Sequence, residues 1–352
     1  MTALGGRTAG SSRTADSARL ARSLPSVGIL LAVLSAASFG TSGAFGAALL
    51  GAGWSPATAV LARITAAAAF LTIPALIQLR GRWGLLRRGA GRAAAFGLIA
   101  VAGCQVCYFN AITRIPVGMA LLLEYLGAVL VVVWLWLRHR QRPRRLTVAG
   151  AATAVAGLVL VLNLTGSGGS GRLNPIGVLW ATLAAVGLAT YFVLSSARQD
   201  QLPPLVMTWA GMWVGAVVIA ILGLSGALPI RAATTAVILG GHHVSWAVPV
   251  AGLALVAAAL SYTAGITATR MLGAKLASFI GMAEVLFAIG FAWLLLGQQP
   301  TPIQFLGGAL ILAGVTLVRL DERPAASAAA RPSAEISPSL PGSRQVALHE
   351  TR

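Results

Sequence analysis

Apolar residues in this chain gather into ten long runs, at about 28–50, 56–79, 93–112, 117–137, 146–164, 175–194, 205–224, 248–266, 276–296 and 302–320. Each is bounded by charge, proline or glycine. Each holds 19 to 24 residues, enough to cross about 30 Å of hydrocarbon as a helix rising about 1.5 Å per residue. The runs are continuous rather than alternating, which predicts helices and argues against a membrane barrel of short strands. Pro56, Pro175 and Pro302 sit at run starts, where a missing N–H leaves no intrahelical bond unmade. The connection 225–247, with Trp246 and the pair His242–His243, is the least defined and leaves room for an interfacial segment.

Composition agrees with that pattern. Apolar residues make up 57% and charged residues 10%, against about 25% charged in soluble domains. Too little charge remains to cover a water-facing surface, so a soluble enzyme is excluded. The net charge of +18 is no nucleic-acid footprint, because the arginines fall in short blocks between apolar runs. Of the 26 Lys and Arg, 22 lie on the face that carries both chain ends; Arg114, Arg172 and Arg231 lie on the other, and Arg63 lies inside a run. By the positive-inside rule both termini are expected in the cytoplasm. Residues 1–27 precede the first run and are too long for the lead of a cleaved signal, so that run is read as a span. The tails 1–27 and 321–352, rich in Ala, Ser, Pro and Arg, are expected to be disordered.

The chain resembles itself. Residues 146–157, with Gly150 and Gly157, align without gaps on 303–314, with Gly307 and Gly314, an offset of 157. In the first and sixth runs, Gly28, Ala32, Leu34, Ala36 and Thr41 lie over Gly177, Ala181, Leu183, Ala185 and Thr190. The third run has Tyr108-Phe-Asn-Ala-Ile112 where the eighth has Tyr262-Thr-Ala-Gly-Ile266. The expected fold is therefore all-α, with ten transmembrane helices as a 5+5 inverted repeat: 28–164, an external linker 165–174, then 175–320. An odd-numbered repeat must enter the bilayer in opposite senses, which is a plan of secondary transporters with a site near mid-membrane.

Several stretches are similar to the EamA family of the drug/metabolite transporter superfamily, and the resemblance covers about 28–320. They are Leu61-Ala-Arg63-Ile-Thr65, Tyr108-Phe-Asn-Ala-Ile112, the segment 284–297 and the Gly-rich tenth run. The stretch 121–129, Leu-Leu-Leu-Glu-Tyr-Leu-Gly-Ala-Val, is similar to the threonine/homoserine exporter branch. The resemblance implies ten helices and transport of small metabolites, often amino acids outward. Ala128 and Val285 stand where the family usually has proline, and Gly297-Gln298 where it has Gly-Glu. Without those prolines, the usual reason for a helix break is missing at both places.

Three ionisable residues lie well inside the runs: Arg63, Glu124 and Glu284. Intramembrane charge is costly and marks function or a structural ion pair. Counting from the outer face puts Arg63 and Glu124 each about 10 Å deep. They are expected either to pair or to hold a substrate's carboxylate and its amino group or a proton. Glu284 has no basic residue at matching depth, and isolation in a low dielectric favours the neutral acid, making it a proton-coupling candidate with Glu124. Thr41, Gln105, Tyr108, Asn110, Tyr191 and Tyr262 are candidate substrate-binding groups, with Ser42 and Thr190 beside them; interhelical hydrogen bonding is the alternative role. Cys104 and Cys107 read as small buried packers. Trp134, Trp136, Trp180, Trp246 and Trp293 read as interfacial anchors.

No H-E-x-x-H, G-x-S-x-G or histidine cluster occurs within the runs, so neither an enzyme, a metal site nor a cofactor is expected. Filter loops and charged rings of a channel are also missing. The expected function is export of small metabolites, amino acids foremost, by alternating access, either proton-coupled or facilitated. The alternative is efflux of drugs or lipophilic cations. Expected partners are a small-molecule substrate and the lipid bilayer of a bacterial inner membrane, with a second copy of the chain as a candidate and no nucleic acid.

Overall fold

The computed structural model describes residues 8–329 apart from 113, 116, 141, 162–173, 198–201 and 298. The expected linker 165–174, all but its last residue, and the outer parts of both tails lie outside the described residues. The helices are α1 (Thr8–Gly51), α2 (Pro56–Leu79), α3 (Trp83–Ala95), α4 (Cys104–Ile112), α5 (Val117–Tyr125), α6 (Gly127–His139) and α7 (Arg145–Val161) in the first half. In the second come α8 (Pro175–Ser196), α9 (Pro204–Leu224), α10 (Ala247–Ala251), α11 (Ser261–Leu272), α12 (Ala274–Gly281), α13 (Glu284–Leu296) and α14 (Pro302–Ala329). Nine spans among the described residues are long and apolar enough to cross a membrane, and α7 is a shorter apolar helix. Helix also runs beyond the boundaries drawn at 28 and 320, back to Thr8 and on to Ala329, in stretches whose Ala and Arg are good helix formers.

The repeat is written into the backbone irregularities. The third span widens into a π-helix at Phe96–Gly103, between α3 and α4, and the eighth does so at Gly252–Leu260, between α10 and α11. The fourth span is interrupted at Leu126 and the ninth at Met282–Ala283, positions related by the same offset of 157. Neither interruption involves proline, so the expectation drawn from Ala128 and Val285 is corrected. The chain instead tightens into i→i−3 bonds: Leu126 N–H donates to Leu123 O (3.2 Å), Met282 N–H to Phe279 O (3.1 Å) and Ala283 N–H to Ile280 O (3.0 Å). Gly127 explains the first break, because a Cβ there would lie 2.8 Å from the Ala185 carbonyl oxygen of α8.

The fifth and tenth spans form a seam of their own. A Cβ on Gly150 would meet Gly314 O at 2.7 Å, and one on Gly157 would meet Gly307 O at 2.6 Å. Since Gly150 aligns with Gly307 and Gly157 with Gly314, each contact is the image of the other, as a two-fold axis between antiparallel helices requires. Small residues let the backbones touch, the usual basis of helix pairing in lipid. The first and sixth spans behave likewise. Gly28 packs against Met271 and Leu272, and its counterpart Gly177 against Arg114 and Ile115. Each half thus lays its first helix on the other half's third span.

The connection 225–247 contains a short β-hairpin. Strands β1 (Val237–Leu239) and β2 (His242–Val244) pair antiparallel around Gly240 and Gly241, both left-handed at φ 61° and 77°, the two-residue turn that glycine favours. The loop is fastened to the first connection: Trp54 Nε1 donates to Ala233 O (2.7 Å), Ser55 Oγ donates to Pro229 O (2.6 Å), and Trp54 stacks on Trp246 with centroids 5.8 Å apart.

Candidate functional site

Residues at helical spacing bring one side of several spans to a common space. On α2, capped by Ser55 and begun by Pro56, residues Pro56, Ala59, Val60 and Arg63 share a stripe. That stripe, with matching ones on α1, α4, α5, α8, α11, α12 and α13, encloses a cavity of about 500 Å³. Spans five, seven and ten contribute nothing to its lining. Its walls run from buried Ala268 (1%), Thr269 (1%) and Ala277 (3%) to exposed Gly43, Ala47 and Leu50 near the end of α1. The cavity therefore opens towards the C-terminal end of α1 and is closed towards the junction of α11 and α12.

All three intramembrane charges line this space. Arg63 is 7% exposed, and its Nε and Nη2 have no hydrogen-bond partner among the described residues. The guanidinium carbon stands 5.6 Å from the centroid of the Phe39 ring, within cation–π range. The structure does not form the Arg63–Glu124 ion pair offered by depth counting. Glu124 instead accepts from Cys104 Sγ at 3.3 Å. Glu284 begins α13, immediately after the break, and Arg63 and Tyr125 line the same cavity. Glu124 sits at the last turn of α5, just before the other break. The two carboxylates thus flank the two interruptions.

Aromatic rings complete the walls. Tyr191 and Tyr262 meet edge to face at 5.6 Å, Phe39 lies 4.9 Å from Tyr262, and Phe96 supports both tyrosines from behind. The Tyr191 hydroxyl is buried against Gly265 of α11 and has no hydrogen-bond partner among the described residues.

Of the expected binding groups, Gln105, Tyr108, Tyr191 and Tyr262 line the cavity with Ser42, while Thr41 and Asn110 are not in the lining. Both turn back onto their own helix, Thr41 Oγ1 to Ser38 O (2.6 Å) and Asn110 Nδ2 to Val106 O (2.9 Å), the local bonding these residue types favour. Thr190 likewise donates to Val186 O at 2.7 Å. Cys104, read from sequence as a small buried packer, and Tyr125, which no pattern singled out, also line the cavity. The structure pairs Cys104 with Ser261, since the two π-helices end immediately before them, an offset of 157 where the Tyr108 and Tyr262 stretches had suggested 154.

A profile of the EamA-like transporter family matches residues 26–163 and again 175–320. The chain belongs to the EamA-like transporter family. It is accordingly a multi-pass membrane transporter of the drug/metabolite type. A solved structure titled only as the crystal structure of a protein is 20% identical, with a TM-score of 0.65 over 85% of this chain and 97% of that one; it shares the fold. No curated protein matches the sequence.

Proposed function

We propose that this transporter exports small zwitterionic metabolites, amino acids in particular, with proton coupling. The observation that carries the reading is the buried guanidinium of Arg63, a residue of the cavity lining whose Nε and Nη2 have no partner among the described residues. A planar fork with free donors suits a carboxylate held through two parallel bonds. Opposite it stand Glu124 and Glu284, acceptors for an ammonium group or a proton. One cation and two carboxylates in one cavity suit a molecule bearing both signs. The break before Glu284 puts it on a half-helix end, where transporters of this plan hold charged cargo. The two halves would rock about the shared axis, exposing the cavity first to one face and then to the other. The arginine-rich face, which carries both chain ends, would be the cytoplasmic side of a bacterial inner membrane.

A second reading has its own support: the aromatic walls and two carboxylates also suit a lipophilic cation. Metabolite profiling of medium from cells overproducing the wild type or Arg63→Ala separates the two. Accumulation of an amino acid that vanishes with the variant supports the carboxylate clamp. Altered tolerance to lipophilic cations alone, unchanged by the variant, supports the second reading.

A further inference from the structure

The two halves are joined at mid-depth by two equivalent contacts that differ in chemistry. Between α1 and α11, Ser35 Oγ donates to Ser261 O at 2.9 Å and Ser261 Oγ donates back to Ser35 O at 3.3 Å. In the repeat, Ser35 corresponds to Ala184 (offset 149) and Ser261 to Cys104 (offset 157). The equivalent joint, between α8 and α4, therefore lacks one hydroxyl altogether. It rests on Cys104 Sγ donating to Ala184 O at 3.4 Å. The same sulfur stands 3.3 Å from Glu124 Oε1. The fit is tight, since a Cβ on Gly187 would lie 2.7 Å from Cys104 Cβ.

A thiol has one proton to donate, so the carboxylate and the carbonyl compete for it. An ionised carboxylate is much the stronger acceptor, whereas a protonated one accepts weakly and becomes a donor itself. We propose that Cys104 is a positioning residue through which the charge on Glu124 sets the hydrogen bonding between α4 and α8. With Glu124 ionised, the S–H bond stays inside the first half, from α4 to α5. When Glu124 takes a proton from cavity water, or its charge is met by a bound ammonium group, the S–H turns to Ala184 O and ties the first half to the second. The thiol keeps its proton throughout. Groups facing Glu124 are Cys104, Cys107 and Tyr108 on α4, Arg63 on α2 and Glu284 on α13, with Tyr125 beside it and Tyr191 and Tyr262 across the cavity. Glu124 is the carboxylate that Cys104 Sγ touches, so the proton-linked choice at the thiol belongs to it. The inference deepens the proton-coupled reading and rests on it for its place in transport.

The test reads the thiol itself and needs no substrate. The chain has two cysteines, so Cys107→Ala leaves Cys104 as the only S–H group. Its infrared S–H stretch, recorded in lipid across a pH series, is expected to move to lower frequency as pH rises and Glu124 ionises. In Cys107→Ala with Glu124→Gln, the band is expected to hold one position at every pH. Ala184→Ser, which gives α8 the hydroxyl of its counterpart Ser35, serves as a second variant and is expected to shrink the shift. A band that does not move with pH, or that moves equally in the Glu124→Gln protein, overturns the proposal. Because no cargo is added, a wrong substrate assignment leaves this result standing. A static band in a protein that carries amino acids rejects the thiol's role alone.

Discussion

The seam of α7 on α14 and the cavity obey the repeat to different degrees. In the seam, Gly150 meets Gly314 and Gly157 meets Gly307, each contact mirrored by the other and neither carrying charge. In the cavity, symmetry survives in the backbone, with paired π-helices and paired breaks, and fails in the side chains. Glu124 corresponds to Gly281, and Glu284 to Gly127. The seventh span, counterpart of the one bearing Arg63, holds no ionisable residue over Pro204–Leu224. The scaffold repeats because two halves must pack in the same way. The chemistry does not repeat because one substrate needs one set of charges.

That contrast breaks most easily at the seam. Gly157→Leu forces a side chain against Gly307 O and Ile311 N, backbone atoms 2.6 and 2.7 Å from the Cβ position. More than about 3 kcal/mol of overpacking is expected, read as loss of monodisperse protein after detergent extraction. Arg63→Ala should do the reverse. Among the described residues it removes no ion pair and no bond of Nε or Nη2, only the cation–π contact with Phe39 worth about 0.5–1 kcal/mol, so thermal stability should change by no more than about 1 kcal/mol. Transport of a carboxylate substrate should fall roughly 100-fold, the cost of a lost charged contact of about 3 kcal/mol. Asp321→Ala probes a polar knot near the closed face. There the buried Asp321 accepts from Thr147 Oγ1 and lies 3.9 Å from Lys275 Nζ. About 1–3 kcal/mol of stability should be lost, seen as a lower melting temperature. Gly290→Ala is the smallest change. Nothing lies within 4 Å of its Cβ position, and the gain in helix propensity should leave stability unchanged or raised by up to about 1 kcal/mol.

Spans and repeat were legible because both are written along the chain: apolar runs of membrane length, and glycines such as Gly150 and Gly307 at a fixed offset. Relations across the bundle were not. Depth arithmetic placed Arg63 level with Glu124, but level says nothing of rotation about each helix axis, and the structure sets the Arg63 guanidinium over the Phe39 ring. The breaks at Leu126 and Met282–Ala283 were hidden because they arise from close packing at Gly127 and from i→i−3 turns, with no proline to announce them. Thr41 and Asn110 look the same in sequence as Ser42 and Gln105. Only the direction of each side chain, back to its own helix or into the cavity, separates them.

Counterflow in proteoliposomes, with amino acids presented beside their carboxamides, tests the carboxylate clamp most directly. The account predicts that the wild type carries at least one acid and not its amide, and that Arg63→Ala, folded and equally stable, carries neither. Equal transport of acid and amide, or an Arg63→Ala protein as active as the wild type, would contradict it.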